Sequence, residues 1–328
     1  MSLEIIAEIA QGYEGDPKLT ELLVNGAIAS NADSIKLQLV FADELCVPTY
    51  PYYQLFQSLE MDESVWSKTV SIVHNNEKNI YFDIYGNKSL DLAIKLGADG
   101  VKISTTDFYN QALIKKAFKN FKNVFVSIGG VPIEDVDSLV NDNILPNKLT
   151  LMHGFQAEPT IISDNNLARI NTLKNRFPNL NIGFMDHSLG DSDEAFYLPV
   201  LALGFGISCI EKHISLDYSL KIEDYVSALS IDRFKFFVEK IKSLKLAIGS
   251  KELILNKKEI EYKNRAGKVA VSKINLMKDH VIRENDIELK RVSTTFSKLY
   301  VKKTNDLIGK ILNENIKINE PFKLSNLK

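Results

Sequence analysis

Residues 181–213 read NIGFMDHSLGDSDEAFYLPVLALGFGISCIEKH, and the fold turns on this stretch. Two short apolar runs, Asn181 to Phe184 and Ser208 to His213, bracket a longer segment of helical period, Ser192 to Leu203. Short runs rich in branched residues read as buried strands, and the longer amphipathic segment reads as a helix. A strand, a helix and a second strand in that order imply parallel strands joined by a crossover.

Working outward, the same unit recurs along most of the chain. Further apolar runs are Glu4 to Ile9, Ser34 to Val40, Ile80 to Tyr85, Gly100 to Ser104, Asn123 to Ile128 and Leu149 to His153, which makes eight strands in all. Asp16-Pro17 opens a helix that runs to Ser30, with proline in its first turn. A second helix follows Met61-Asp62-Glu63, where acids suit a helix N-terminus. Others span Lys88 to Leu96, Gln111 to Lys119, Ile133 to Val140, Asn165 to Phe177 and Ile231 to Ala247. Eight strand-helix units in about 250 residues match a closed (β/α)8 or TIM barrel in number and size. A doubly wound open sheet is the rival α/β fold, but no glycine-rich phosphate fingerprint follows the first strand.

The character of the chain changes after Ile248-Gly249. We expect a barrel domain over 1–250, a charged linker or solvated helix over 251–268 and a small domain over 269–328. In the last of these, Val269 to Ser272, Ile287 to Leu289 and Ile311 to Asn313 read as short strands, separated by turns at Lys278-Asp279 and Asn285-Asp286. Roughly 60 residues is near the lower limit for an independent core, so this piece needs a larger surface to dock on.

Composition excludes several classes of function. The chain has 328 residues with 25% charged and 45% hydrophobic content, and its net charge is -2. That balance gives no electrostatic reason to expect nucleic acid or an acidic membrane as partner. Cys46 and Cys209 make no disulfide framework and have no metal-ligand spacing, which fits a reducing cytoplasm. No run reaches the ~20 apolar residues of a membrane span. The N-terminus lacks the basic n-region of a signal peptide and enters directly into the first strand.

In a barrel of this kind, chemistry gathers at the C-terminal ends of the strands. Those ends carry Glu8, Lys36 with Gln38, Asp83, Lys102 with Ser104, Asp107, Ser127, His153, Asp186-His187 and Glu211 with His213. A lone histidine at a strand end reads as a hydrogen-bonded structural group. His187 and His213 differ because they end adjacent strands and can offer two imidazoles to one divalent ion. Such a set suits Mn, Fe, Co or Zn better than Ca, with Mg the poorer match in ligand softness. An open site of this type polarises a carbonyl. For Lys36 and Lys102 three readings stand: a structural ion pair with Glu8 or Asp107, two cations holding an anionic substrate, or a Schiff-base lysine.

At these residues the sequence resembles the N-acetylneuraminate synthase family, which includes the legionaminate, pseudaminate and spore-coat polysaccharide synthases. The resemblance runs through Ile6-Ala-Glu-Ile9, Ile35-Lys-Leu-Gln38, Val101-Lys-Ile-Ser104, Val126-Ser-Ile-Gly129, Met152-His-Gly154, Pro159-Thr160, Gly183-Phe-Met-Asp-His187 and Ile210-Glu-Lys-His213. The C-terminal segment is similar to that family's antifreeze-like (SAF) domain, through Leu289-Lys-Arg291 and Leu307-Ile-Gly-Lys310.

The resemblance implies a metal-dependent condensation of phosphoenolpyruvate with an open-chain 2-acylamino sugar, giving a sialic-type acid and phosphate. His187 and His213 would bind a divalent metal, typically manganese, with magnesium or cobalt as alternatives. Glu8 would stand beside the reacting carbons, Lys36 would be catalytic, and Asp107 would position the attacking water. Gln38, Lys102, Thr105, Ser127, Gln156, Asp186 and Glu211 would bind substrate, and Asp224 would hold sugar hydroxyls. Arg291 would reach the acylamino group from the partner subunit of a swapped homodimer.

The chain also departs from the family. Gly12-Tyr13 replaces Asn-His, Asp83 stands for a phosphate-contacting threonine, Met185 replaces a serine, Ile222-Glu223 replaces Gly-Pro, and Val292 replaces a proline. These departures keep two other readings in view. One is a metal-dependent barrel lyase or aldolase with a different donor. The other is a catalytically silent sugar-binding protein.

Overall fold

The computed structural model describes residues 3–142, 147–154, 157–292 and 300–328. The chain divides into two compact units, Met1–Gly249 and Ser250–Lys328.

In the first unit eight parallel strands close into a barrel: β1 (Glu4–Ala10), β2 (Ser34–Gln38), β3 (Asn79–Ile84), β4 (Gly100–Ile103), β5 (Asn123–Ser127), β6 (Leu149–His153), β7 (Asn181–Asp186) and β8 (Cys209–Ser215). Each strand pairs with the next, and β1 pairs with β8 to complete the ring. The two-residue strand β9 (Leu229–Ser230) pairs in parallel with the last residues of β8.

The helices α1 (Pro17–Ala29), α2 (Ala42–Leu45), α3 (Tyr53–Ser58), α4 (Glu63–Asn75), α5 (Asn87–Leu96), α6 (Gln111–Asn120), α7 (Ile133–Asp142), α8 (Ala168–Arg176), α9 (Glu194–Gly204) and α10 (Ile231–Ile248) alternate with the strands. Helix α1 starts where it does because Asp16 accepts from the amides of Lys18 and Leu19 and Pro17 fixes the first turn. Gly97, at φ 73°, ends α5 in the left-handed conformation that a glycine adopts without steric cost. The short helices α2 and α3 lie in the long β2–α4 connection and have no counterpart in the sequence reading. Their few residues give no usable helical period.

Strand alternation sorts the barrel residues into two layers. Outward-facing Ile35, Leu37, Ile80, Phe82, Val101, Ile103, Val124, Val126, Leu151 and Phe184 join the helices in one large core. Fully burying each such side chain contributes roughly 1.5–3 kcal/mol. The inward-facing set begins with a separate apolar plug of Ile6, Tyr81, Phe125, Met152, Met185 and Cys209. The Tyr81 and Phe125 rings pack with centroids 4.9 Å apart, and Gly183 leaves the space that the sulfurs of Met152 and Cys209 fill. Above the plug the inward positions turn polar.

The second unit contains α11 (Lys257–Ala266) and an antiparallel pair, β10 (Val269–Ser272) with β11 (Ile287–Lys290). Reciprocal bonds between Asn256 and Glu259 start α11. Ala270, Leu276, Ile282, Leu307, Leu312, Ile316 and Phe322 form this unit's own core. The run Ile311 to Asn313, read as a strand, instead makes the single bridges Val281–Ile311 and Leu312–Leu327. Its two residues pair with different segments, so no continuous ladder forms.

Candidate active site

A cleft of about 280 Å³ opens at the C-terminal ends of the barrel strands. Glu8, Gln38, Asp83, Lys102, Ser104, His187, Glu211, His213 and Asp224 line it, together with Gln11, Tyr85, Thr106 and Glu158. The register explains the convergence: Glu8 lies opposite Lys36 on one side and His213 on the other, and Asp83 lies opposite Gln38 and Lys102.

The floor is a buried cluster of five ionisable groups. The Lys36 ammonium contacts Glu8 and stands 2.8 Å from Asp83 and 3.5 Å from Glu211. Lys102 stands 2.5 Å from Glu211 and 3.5 Å from Asp83. Burial opposes the charge on Lys36, but Asp83, Glu211 and Glu8 hold its pKa well above the usual value. Glu211 is held low by Lys102 and Lys36 against the same burial cost. Glu8 goes the other way. Burial, helped by Asp83 and Glu211, outweighs the nearby Lys36 and pushes its carboxyl up to about 8. The cluster therefore holds a proton at neutral pH.

His187 and His213 lie above this floor with ring centroids 5.1 Å apart. Burial lowers both, with Lys102 acting further on His187, which falls to about 4, and His187 acting on His213. Both rings are thus neutral at physiological pH, the form that ligates a metal. The Nδ1 atoms of both are buried without a hydrogen-bond partner. Ligand atoms of Glu158, His187 and His213 lie within 4.8 Å of one another, the one such group of three among the described residues. Two orphaned imidazole nitrogens and a carboxylate fit a divalent transition metal.

Glu158 is an addition to the sequence reading. It lies in the loop after β6, where no strand alternation tells which way a side chain points; its place just beyond a strand end was the available signal. Burial and the adjacent Asp224 carboxyl, with which it shares a hydrogen bond, raise it to about 7. Asp224 itself is raised by burial and accepts from the amide of Gln11 at 3.1 Å.

The other expected residues fall into several places. Gln38 accepts from Gln11 at 2.8 Å and from the Tyr85 hydroxyl at 2.6 Å, which fixes its carbonyl oxygen at the rim. Thr105 and Ser127 bond to one another at 2.9 Å, next to the cleft but outside its lining. Asp107 sits in the turn Thr105–Asp107, half-buried, bonded by Thr106 at 2.9 Å and raised by burial. Arg291 lies in the second unit, where it donates to the Ala266 carbonyl at 3.0 Å. Gln156 lies outside the described residues.

Asp186 requires a correction. It faces away from the cleft and pairs with Lys212 at 2.9 Å, both fully buried between barrel and helices. His153 likewise faces outward and bonds the Asn165 carbonyl at 2.9 Å, the structural reading of a lone histidine. Of the departures, Tyr13 is buried against Trp66 and donates to the Gln38 carbonyl at 2.9 Å, and Met185 belongs to the plug.

Comparison with known proteins agrees with this architecture. The chain is 26% identical to the N,N'-diacetyllegionaminic acid synthase of Campylobacter jejuni, over 96% of this chain and 97% of that one. It is 29% identical to an uncharacterised protein of Methanocaldococcus jannaschii, over 88% of this chain and 84% of that one. The crystal structure of the N-acetylneuraminic acid synthetase of Leptospira borgpetersenii superposes with a TM-score of 0.74 at 23% identity, covering 80% of this chain and 92% of that one. That likeness establishes the (β/α)8 fold. The profile of the NeuB family matches residues 23–253, and the chain belongs to that family.

Proposed function

We propose that the chain condenses phosphoenolpyruvate with the open-chain aldehyde of a 2-acylamino sugar to give a nonulosonic acid and inorganic phosphate. The observation that carries this reading is the pair of neutral, buried imidazoles directly above two buried lysines. The imidazoles would hold a carbonyl-activating ion and the lysines an anionic donor, in a single cleft.

His187 and His213, with Glu158 as third ligand, would hold a divalent ion, manganese in this proposal. Bound there, it supplies Lewis acidity to the aldehyde oxygen. Lys36 and Lys102 attract the donor's negative charge, and the dry floor strengthens that attraction. Carbon 3 of the enol phosphate attacks the aldehyde carbon, whose oxygen takes up a proton. Water, positioned by Asp107, adds to the cationic carbon 2 and gives up one proton to solvent. The bond from carbon 2 to the phosphate oxygen then breaks, the second water proton leaves with phosphate, and carbon 2 becomes a keto group. Glu8 carries a proton at neutral pH and stands at the strand position next to His213, which suits it to protonate the developing alkoxide to the new hydroxyl. Asp224, at the rim of the cleft, suits sugar hydroxyls.

The reading extends to residues 269–328 as an antifreeze-like domain that brings Arg291 to the acylamino group of a partner subunit's sugar. It places the reaction in the cytoplasm, where phosphoenolpyruvate is generated. Among the described residues no helix is long and apolar enough to cross a membrane.

The test is phosphate release with phosphoenolpyruvate, manganese and a panel of 2-acetamido sugars, with and without chelator. Chelator-sensitive release with one sugar, lost in His187→Ala along with bound metal, is the expected result. A metal-loaded protein that releases no phosphate with any sugar overturns it.

A further inference from the structure

The floor holds three acidic side chains against two basic ones. Glu8, Asp83 and Glu211 offer three carboxylates to the ammonium groups of Lys36 and Lys102. With Glu8 protonated at neutral pH, Asp83 and Glu211 neutralise the two lysines, so both ammonium groups are already satisfied by protein carboxylates before a donor arrives. Asp83 is the residue to examine because of where it stands. It lies on β3, between Lys36 on β2 and Lys102 on β4, and its Cα lies directly opposite that of Lys102. Its Oδ2 is 2.8 Å from one ammonium and 3.5 Å from the other. Its Oδ1 is buried without a hydrogen-bond partner, and the residue lines the cleft.

Two consequences follow from elementary electrostatics. An anionic donor approaching the lysines meets a carboxylate already seated on both of them. It also meets a second carboxylate oxygen, Oδ1, that has no proton donor of its own to turn toward it. In a buried site with little water, neither effect is screened.

We propose that Asp83 is a specificity-determining residue of the donor subsite: an internal anion that competes with the donor's phosphate for Lys36 and Lys102 and so weakens the binding of phosphorylated donors. The inference rests on the donor role given above to the two lysines. It assigns to Asp83 the setting of donor affinity, with no part in bond making. Removing its charge takes one carboxylate away from both ammonium groups and leaves Glu8 and Glu211 beside them.

The experiment is calorimetric titration of the full chain with inorganic phosphate and with phosphoenolpyruvate, for the wild type, Asp83→Asn, Asp83→Thr and Asp83→Glu. Circular dichroism and metal content would confirm that each variant is folded and loaded. The expected result is a gain of at least about tenfold in affinity for both ligands in Asp83→Asn and Asp83→Thr, in the range of close charge pairs. Asp83→Glu keeps the charge and should show no gain. In turnover the same change should appear as a lower KM for the phosphorylated donor. Unchanged or weaker binding in both neutral variants, while they stay folded, overturns the proposal. The two readings fail separately. A gain in phosphate affinity without phosphate release for any sugar keeps the role of Asp83 and removes the synthase reading. Turnover by the wild type with no gain in the neutral variants does the reverse.

Discussion

Glu8 sits in an environment far from what its type suggests. Its carboxyl is pushed from 4.5 to about 8 because burial and two neighbouring carboxylates outweigh Lys36. The linkage has a definite sign. Between those values the folded chain holds a proton that the unfolded chain has released, so this contribution to stability is full below 4.5 and drains away as pH rises through about 8. A glutamine cannot ionise. The stability of metal-free wild type relative to Glu8→Gln should therefore fall steadily between pH 4.5 and 8, measured as the difference in denaturant midpoints. Parallel curves for the two proteins across that window would show that Glu8 is ionised in the folded state.

At the scale of the strand, one rule of alternation separates what the sequence discloses from what it conceals. Lys36 and Gln38, or Glu211 and His213, are two apart and point the same way, and the structure brings Gln38, Glu211 and His213 to one cleft with Lys36 beneath it. Asp186 and His187 are adjacent, so only one of them can face inward. The sequence reading placed both in the site, and the same rule, applied there, would have removed Asp186. His153 is excluded by parity with Met152, which fills the plug. All eight strands and the longer helices between them were legible because their periodicity is regular, whereas the short α2 and α3 were not. Glu158 was not, since a loop residue has no period to read. The buried Asp186–Lys212 pair lends itself to a direct test. Asp186→Ala leaves Lys212 charged or forced neutral in a dry layer, and the expected loss is about 3–5 kcal/mol. A chemical denaturation midpoint close to that of the wild type would contradict this.

At the scale of the molecule, the two units differ in what holds them. The barrel unit has a ring of paired strands and a large apolar shell, whereas the second unit rests on a handful of core side chains and helix α11 has none buried. A small unit with an exposed helix and a substrate-binding role proposed for Arg291 fits a swapped homodimer. Light scattering on the full chain should give twice the mass of 37.0 kDa. A monomer with intact turnover would rule that arrangement out. The plug of Ile6, Tyr81, Phe125, Met152, Met185 and Cys209 has one last effect. It makes the barrel a blind well, so reactants, products and displaced water all share a single doorway. In such a well depth sets the order of traffic: whatever rests on the lysines must go in before the rim is occupied, and cannot come out until the rim is clear.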